Sequence, residues 1–143
     1  MDPLSIVASA IALFQAASRL GSLLGTIKPF LDAPNDVAAL LHELASVRNA
    51  LEELQSTVTA NNPGSLRGGK SLHGPIATCL LHVSSLEDLI SNTCKLKETS
   101  GEVIMVDVKR AVWLRKKGER EKIKLRLRDA LSALQLAIAS LNL

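Results

Sequence analysis

The sharpest chemical string in the chain is Gly64-Ser-Leu-Arg-Gly-Gly69-Lys70-Ser71. It fits the phosphate-binding pattern G-x-x-x-x-G-K-[ST], in which backbone N–H groups surround the phosphates, the lysine reaches the outer ones and the hydroxyl holds magnesium. Downstream, Val103-Ile-Met-Val-Asp107 has the form of an apolar strand ending in a magnesium-binding carboxylate. Together the two stretches invite a nucleotide-hydrolase reading, and their context argues against it. A phosphate loop leaves a buried parallel strand and opens a helix. This one follows a heptad-patterned segment and Asn61-Asn62-Pro63, and His73-Gly74-Pro75 is expected to interrupt the helix that should cradle the phosphate. A Gly-rich connecting loop over 61–75 accounts for the string, and nucleotide binding at 64–71 stays as a remote alternative.

Metal and nucleophile chemistry find less. Cys79 and His82 sit one turn apart, with Cys94, His73 and His42 elsewhere. A structural zinc site needs four converging ligands at known spacings, so a buried cysteine and a surface histidine are the simpler reading, and neither metal nor cofactor is expected. No Ser/His/Asp or Cys/His set has a signature for nucleophilic catalysis, so the chain is read as non-enzymatic and without a small-molecule substrate. The two cysteines form no disulfide framework and point to a reducing, cytoplasmic setting.

Charge is concentrated in one place. Residues 109–128 hold ten basic residues against Glu119 and Glu121, in a chain whose net charge is only +3. Lys109 and Arg110 open this block. Arg115, Lys116, Lys117, Arg120, Lys122, Lys124, Arg126 and Arg128 are its candidates for contact with acidic lipid. A solvated helix face, with long stems covering apolar surface, is the alternative. Nucleic acid ranks last and is not expected as a partner, because stacking aromatics are nearly absent and no recognition motif appears. Trp113, inside the block, reads either as an interfacial anchor or as the cap of a core.

The elements that would position these residues are helices. Apolar residues make up 47% of the 143 and aromatics only 2%, so any core is aliphatic. The periodicity predicts helices over about 3–24, 36–59, 76–97 and 119–141, with a short extra one before the last. The segment 103–117 is ambiguous between strand and helix. Val37, Leu40, Leu44, Val47, Leu51, Leu54 and Val58 alternate three and four apart, as on a bundle helix. Ile76, Cys79, Leu80, Val83, Leu86 and Ile90 form the next apolar face, and Ile123, Leu127, Leu131, Leu134, Ile138 and Leu141 the last.

The first helix differs from the other three. Leu4, Val7, Ile11 and Phe14 form one apolar stripe, and Ile6, Ala10, Leu13, Ala17, Leu20 and Leu24 a second. Only a thin line through Ser5, Ser9 and Arg19 is polar, and it should face solvent. A helix apolar nearly all round is central to a core or seeks a membrane. Its start, Met-Asp-Pro, has the wrong charge for a secretory leader. The fold expected is therefore all-α: an antiparallel four-helix bundle in one domain over 1–143, with the apolar N-terminal helix at its centre.

The opening Met1-Asp-Pro-Leu-Ser-Ile-Val-Ala-Ser-Ala-Ile-Ala-Leu13 resembles the start of the fungal N-terminal domain found on STAND/NOD-like receptors, the HeLo-like group. That group is also described from the N-terminal region of azaphilone pigment cluster protein L. Asp32-Ala-Pro-Asn-Asp36 and Val112-Trp-Leu-Arg-Lys-Lys117 fit the same family. The resemblance implies a helical bundle heading a receptor with a downstream ATPase, self-association on activation, and recruitment from the cytoplasm to the plasma membrane in regulated cell death. Pro3 to Leu24 would be the inserting helix, with Leu4, Ile6, Val7, Ile11, Leu13, Phe14, Leu20 and Leu24 entering lipid. The alternative is an inert adaptor that self-associates through Leu125, Leu136 and Leu143 without touching lipid.

Overall fold

The computed structural model describes residues 3–31, 34–60, 70–99 and 102–141. Four long helices dominate: α1 (Pro3–Ile27), α2 (Pro34–Ala60), α3 (Lys70–Ser91) and α5 (Lys117–Leu141), with a short α4 (Arg110–Arg115) before the last. A one-turn 3₁₀ segment, Lys28–Phe30, joins α1 towards α2. The helical bundle and its short extra helix are as expected.

The aliphatic stripes make one core. From α2 come Val37, Leu40, Leu44, Val47, Leu51 and Leu54; from α3, Ile76, Cys79, Val83, Leu86 and Ile90; from α5, Leu127, Leu131, Leu134 and Ile138. Val58 lies outside the residues whose side chains are described. Around the bundle the order is α1, α2, α5, α3, so each long helix packs chiefly on two neighbours and α1 lies diagonal to α5. Asp36 and Glu43 on α2 meet Arg120 and Arg128 on α5 in the same order along both helices, which makes that pair parallel. Arg19 meeting Glu87, while Ile6 and Leu72 wall one cavity, makes α1 and α3 parallel too. Helices successive in the chain run antiparallel, and the step from α2 to α3 joins diagonal helices.

Three local expectations change. The loop expected through Pro75 ends sooner, because α3 starts at Lys70 and runs through Pro75. Pro75, the sixth residue of the helix, cannot donate to the Ser71 carbonyl, so continuing through it costs one backbone hydrogen bond. The gain is Leu72, fully buried and on the same stripe as Ile76, Cys79 and Val83. The helix expected to reach residue 97 stops at Ser91, where Thr93 N–H bonds the Ile90 carbonyl. Beyond it, the ambiguous stretch forms an antiparallel hairpin of β1 (Cys94–Thr99) and β2 (Glu102–Val108), with an extra β2 residue opposite the Lys95–Leu96 step. Lys109 N–H to the Thr93 carbonyl, 2.6 Å, closes its base.

The third change concerns α1. It occupies a corner of the bundle and is not its enclosed axis. Ile6, Leu13, Ala17, Leu20 and Leu24 are buried, whereas Val7 and Ile11 remain 41% and 52% exposed.

Candidate functional site

On α1 the two predicted stripes separate. The one through Leu13, Leu20 and Leu24 enters the core, and the one through Val7, Ile11 and Phe14 borders an open apolar groove of about 570 Å³. Leu51 and Leu54 of α2 and Leu72 of α3 form its other walls, and Gln15, Glu52 and Gln55 its polar edge. The Arg48 guanidinium lies 5.3 Å from the centre of the Phe14 ring, a cation–π distance. The side chain of Leu4 lies outside the described residues. The polar line behaves as expected for Ser5 and Arg19, which are exposed, while Ser9 is half-buried. Arg19 forms a fork with Glu87 of α3, at 2.9 and 3.0 Å. That carboxylate raises the pKa of the guanidinium further.

The basic block divides into pieces with different tasks. Arg120 was expected to meet lipid, and it is buried at 3% exposure. Its guanidinium stacks 3.7 Å from the Trp113 ring centre, donates to the Trp113 carbonyl and lies 3.8 Å from Asp36. Burial lowers its pKa, partly offset by Asp36 and Glu121. Trp113 is 1% exposed, so it caps the core and is not an interfacial anchor. Its indole Nε1–H has no acceptor among the described residues.

Other members of the block are tied to carboxylates. Arg128 donates from both Nε and Nη2 to Oε1 of Glu43, at 2.9 and 2.8 Å, and Glu43 is itself buried. Lys124 pairs with Glu121 at 2.9 Å, which holds that carboxyl below its usual range, and Lys116 reaches Glu119 at 3.5 Å. Arg115, Lys117, Lys122 and Arg126 are exposed and have no ion-pair partner among the described residues. The Arg120–Trp113 stack has no signal in the sequence, because the two residues belong to separate helices on either side of the α4–α5 junction.

The family model described as "pigment biosynthesis cluster protein PigL N-terminal" matches residues 1–143. The chain belongs to that family. No curated protein and no solved structure matches it. In this member of the PigL N-terminal family, the chemical strings of the sequence are dispersed. Cys79 is fully buried, and desolvation pushes its thiol up to about 12. Cys94 is also buried, its thiol raised for the same reason, and its Sγ contacts the Ile90 carbonyl at 3.6 Å. His42 and His73 are exposed, and burial together with Arg126 lowers the pKa of His82. Among the described residues no group of three or more His, Cys, Asp or Glu is placed to hold a metal. Of the phosphate-loop string, 64–69 lie outside the described residues, and Lys70 and Ser71 open α3. The element before that string is the helix α2, and Val103–Asp107 pairs antiparallel with β1, whereas phosphate loops follow strands of parallel sheets.

Proposed function

We propose that this chain is a non-enzymatic signalling domain of the fungal NOD-like-receptor type. It self-associates on activation and passes α1 from the bundle into a membrane in regulated cell death. The observation that carries this reading is the uncovered second stripe of α1: Val7 and Ile11 face water on a helix whose other side is core. Ser5–Phe30 is the one stretch among the described residues long and apolar enough to cross a bilayer, and only 28% of its most apolar part is buried. Moving the core-side leucines from bundle to acyl chains exchanges one apolar medium for another, and self-association covers the α2 and α3 faces that they leave. Val7 and Ile11 leave water and gain about 1 kcal/mol each. The exposed Arg19–Glu87 pair that must open contributes roughly 0–1 kcal/mol.

Val7→Asp/Ile11→Asp tests this. Both sites are exposed in the bundle, so its thermal midpoint should hold. Each aspartate costs about 3 kcal/mol at the centre of an inserted helix. Dye release from anionic vesicles should fall to background, and release at the native rate would refute insertion through α1.

A second reading has its own support. Leu125 and Leu136 are 52% and 71% exposed, and eleven residues apart they share one outward face of α5. Leu143 lies outside the described residues. An adaptor that self-associates there would lose its dimer with Leu125→Ser/Leu136→Ser in sedimentation equilibrium and would release no dye even as the native chain.

A further inference from the structure

Lys28–Phe30 and α4 meet at one end of the bundle. Arg110 Nε donates to the Phe30 carbonyl at 2.8 Å, which pins α4 against the segment that follows α1. α4 is amphipathic at very short range. Trp113 points inward and is buried, whereas Arg110, Ala111, Leu114 and Arg115 are exposed. Leu114 lies one turn beyond Arg110, on the same outer face, and is 67% exposed. Phe30, at the other side of the Arg110 bridge, is 48% exposed. Two large apolar side chains thus stand in water at one end, with Lys28, Lys109, Arg115 and Lys117 exposed beside them in sequence. Two carboxylates near this end are engaged, Asp36 by Arg120 and Glu119 by Lys116.

We infer that this end is a docking foot for an anionic bilayer surface, in which Phe30 and Leu114 enter the headgroup region and Lys28, Arg115 and Lys117 meet lipid phosphates. An apolar tip with exposed cations beside it in sequence matches such a surface in both polarity and charge. The inference rests on the membrane reading above and moves the lipid contact. Arg120, Lys124 and Arg128, half of the basic residues of α5, are tied to Asp36, Glu121 and Glu43, and the lipid contact is assigned to the tip formed by α4 and Lys28–Phe30. Docking there is also separate from insertion, because Val7 and Ile11 lie in the opposite half of α1.

The test is co-sedimentation of the full chain with vesicles of phosphatidylcholine alone, or with roughly a third phosphatidylserine. Phe30→Ser/Leu114→Ser should weaken binding to the anionic vesicles at least about tenfold, from the loss of two buried apolar side chains. Lys28→Gln/Arg115→Gln/Lys117→Gln should weaken it by roughly a hundredfold, at about fivefold per charge. Every substituted side chain is exposed, so the circular dichroism melt of each variant should match the native chain. Lys122→Gln/Arg126→Gln, on the flank of α5, should bind within about twofold, because those residues lie outside the foot.

Native binding by both foot variants, or loss of binding by the α5 variant in their place, overturns the foot and leaves insertion through α1 standing. Val7→Asp/Ile11→Asp should sediment like the native chain while failing to release dye, which separates docking from insertion. Absence of vesicle binding by the native chain overturns both, and a foot-dependent contact with protein or nucleic acid overturns the lipid assignment.

Discussion

Arg120→Ala should be among the most destabilising single changes in this bundle. The residue is an arginine at 3% exposure, and three interactions depend on it. A charge-assisted hydrogen bond to the Trp113 carbonyl contributes about 1.5–3 kcal/mol. The stack on the Trp113 ring at 3.7 Å contributes about 2 kcal/mol in a desolvated setting. The Asp36 contact at 3.8 Å contributes at most about 1 kcal/mol, since that carboxylate is about one-third exposed. Relief of the desolvation that lowers the Arg120 pKa takes part of this back. The expected net loss is about 3–4 kcal/mol, a large fraction of the stability of a domain this size.

Urea unfolding followed by Trp113 fluorescence measures it directly, because Trp113 is the chain's single tryptophan. Arg120→Met keeps the apolar stem and should lose about 2 kcal/mol through the missing hydrogen bond and stack. In a double-mutant cycle with Trp113→Phe, followed by circular dichroism because two of its members lack the tryptophan, coupling of about 1 kcal/mol or more is expected. A loss below about 0.5 kcal/mol for Arg120→Ala, the size of a surface substitution, would refute the buried clamp.

Three further outcomes follow from the buried charges and thiols. Arg128→Ala strands the Glu43 carboxylate, which is 5% exposed, and should cost about 2–4 kcal/mol in urea unfolding; Arg128→Ala/Glu43→Leu should recover most of it. Burial pushes the folded thiol of Cys79 up to about 12, above its unfolded value, so its contribution is whole below roughly pH 8.5 and fades as pH climbs towards the folded value. The alkaline fall in urea midpoint should therefore be shallower in Cys79→Ala, and native Cys79 should resist thiol reagents at neutral pH. For His82 the folded pKa is depressed by burial first and by Arg126 second. Its contribution is present above the unfolded value near roughly 6.5 and is lost as pH falls through the lower folded value. Arg126→Gln should raise the His82 pKa in an NMR titration.

Much of the bundle was legible because burial writes itself into spacing. The seam of α2 from Val37 to Leu54 and the faces of α3 and α5 all enter the core where their three- and four-residue steps place them. What spacing does not encode is partnership. Nothing local to α1 says that its neighbours are α2 and α3 with α5 across the diagonal, so an all-round apolar helix read as central when it is a corner. Arg120 sits in a run of exposed cations, and only the tertiary positions of Trp113 and Asp36 draw it inward. Pro75 read as a break because its cost is local, whereas Leu72, the residue that rewards continuing the helix, lies on its far side. The hairpin was half legible: the β-branched run of β2 was visible, and its pairing with Lys95–Thr99 was not. Of the candidate site, the apolar stripes of α1 were visible in the spacing, whereas their division between core and open groove, and that of the basic block between ion pairs and open surface, was not.

Insertion through α1 requires that its outer stripe meet lipid. A polarity-sensitive dye on Ile11→Cys reports this, because position 11 is exposed while Cys79 and Cys94 are buried and protected from labelling. On adding anionic vesicles to the labelled full chain, the account predicts a blue-shifted emission and quenching by acyl-chain quenchers but not by aqueous iodide. Emission that stays at its aqueous position, with iodide quenching unchanged while the protein sediments with the vesicles, would contradict it.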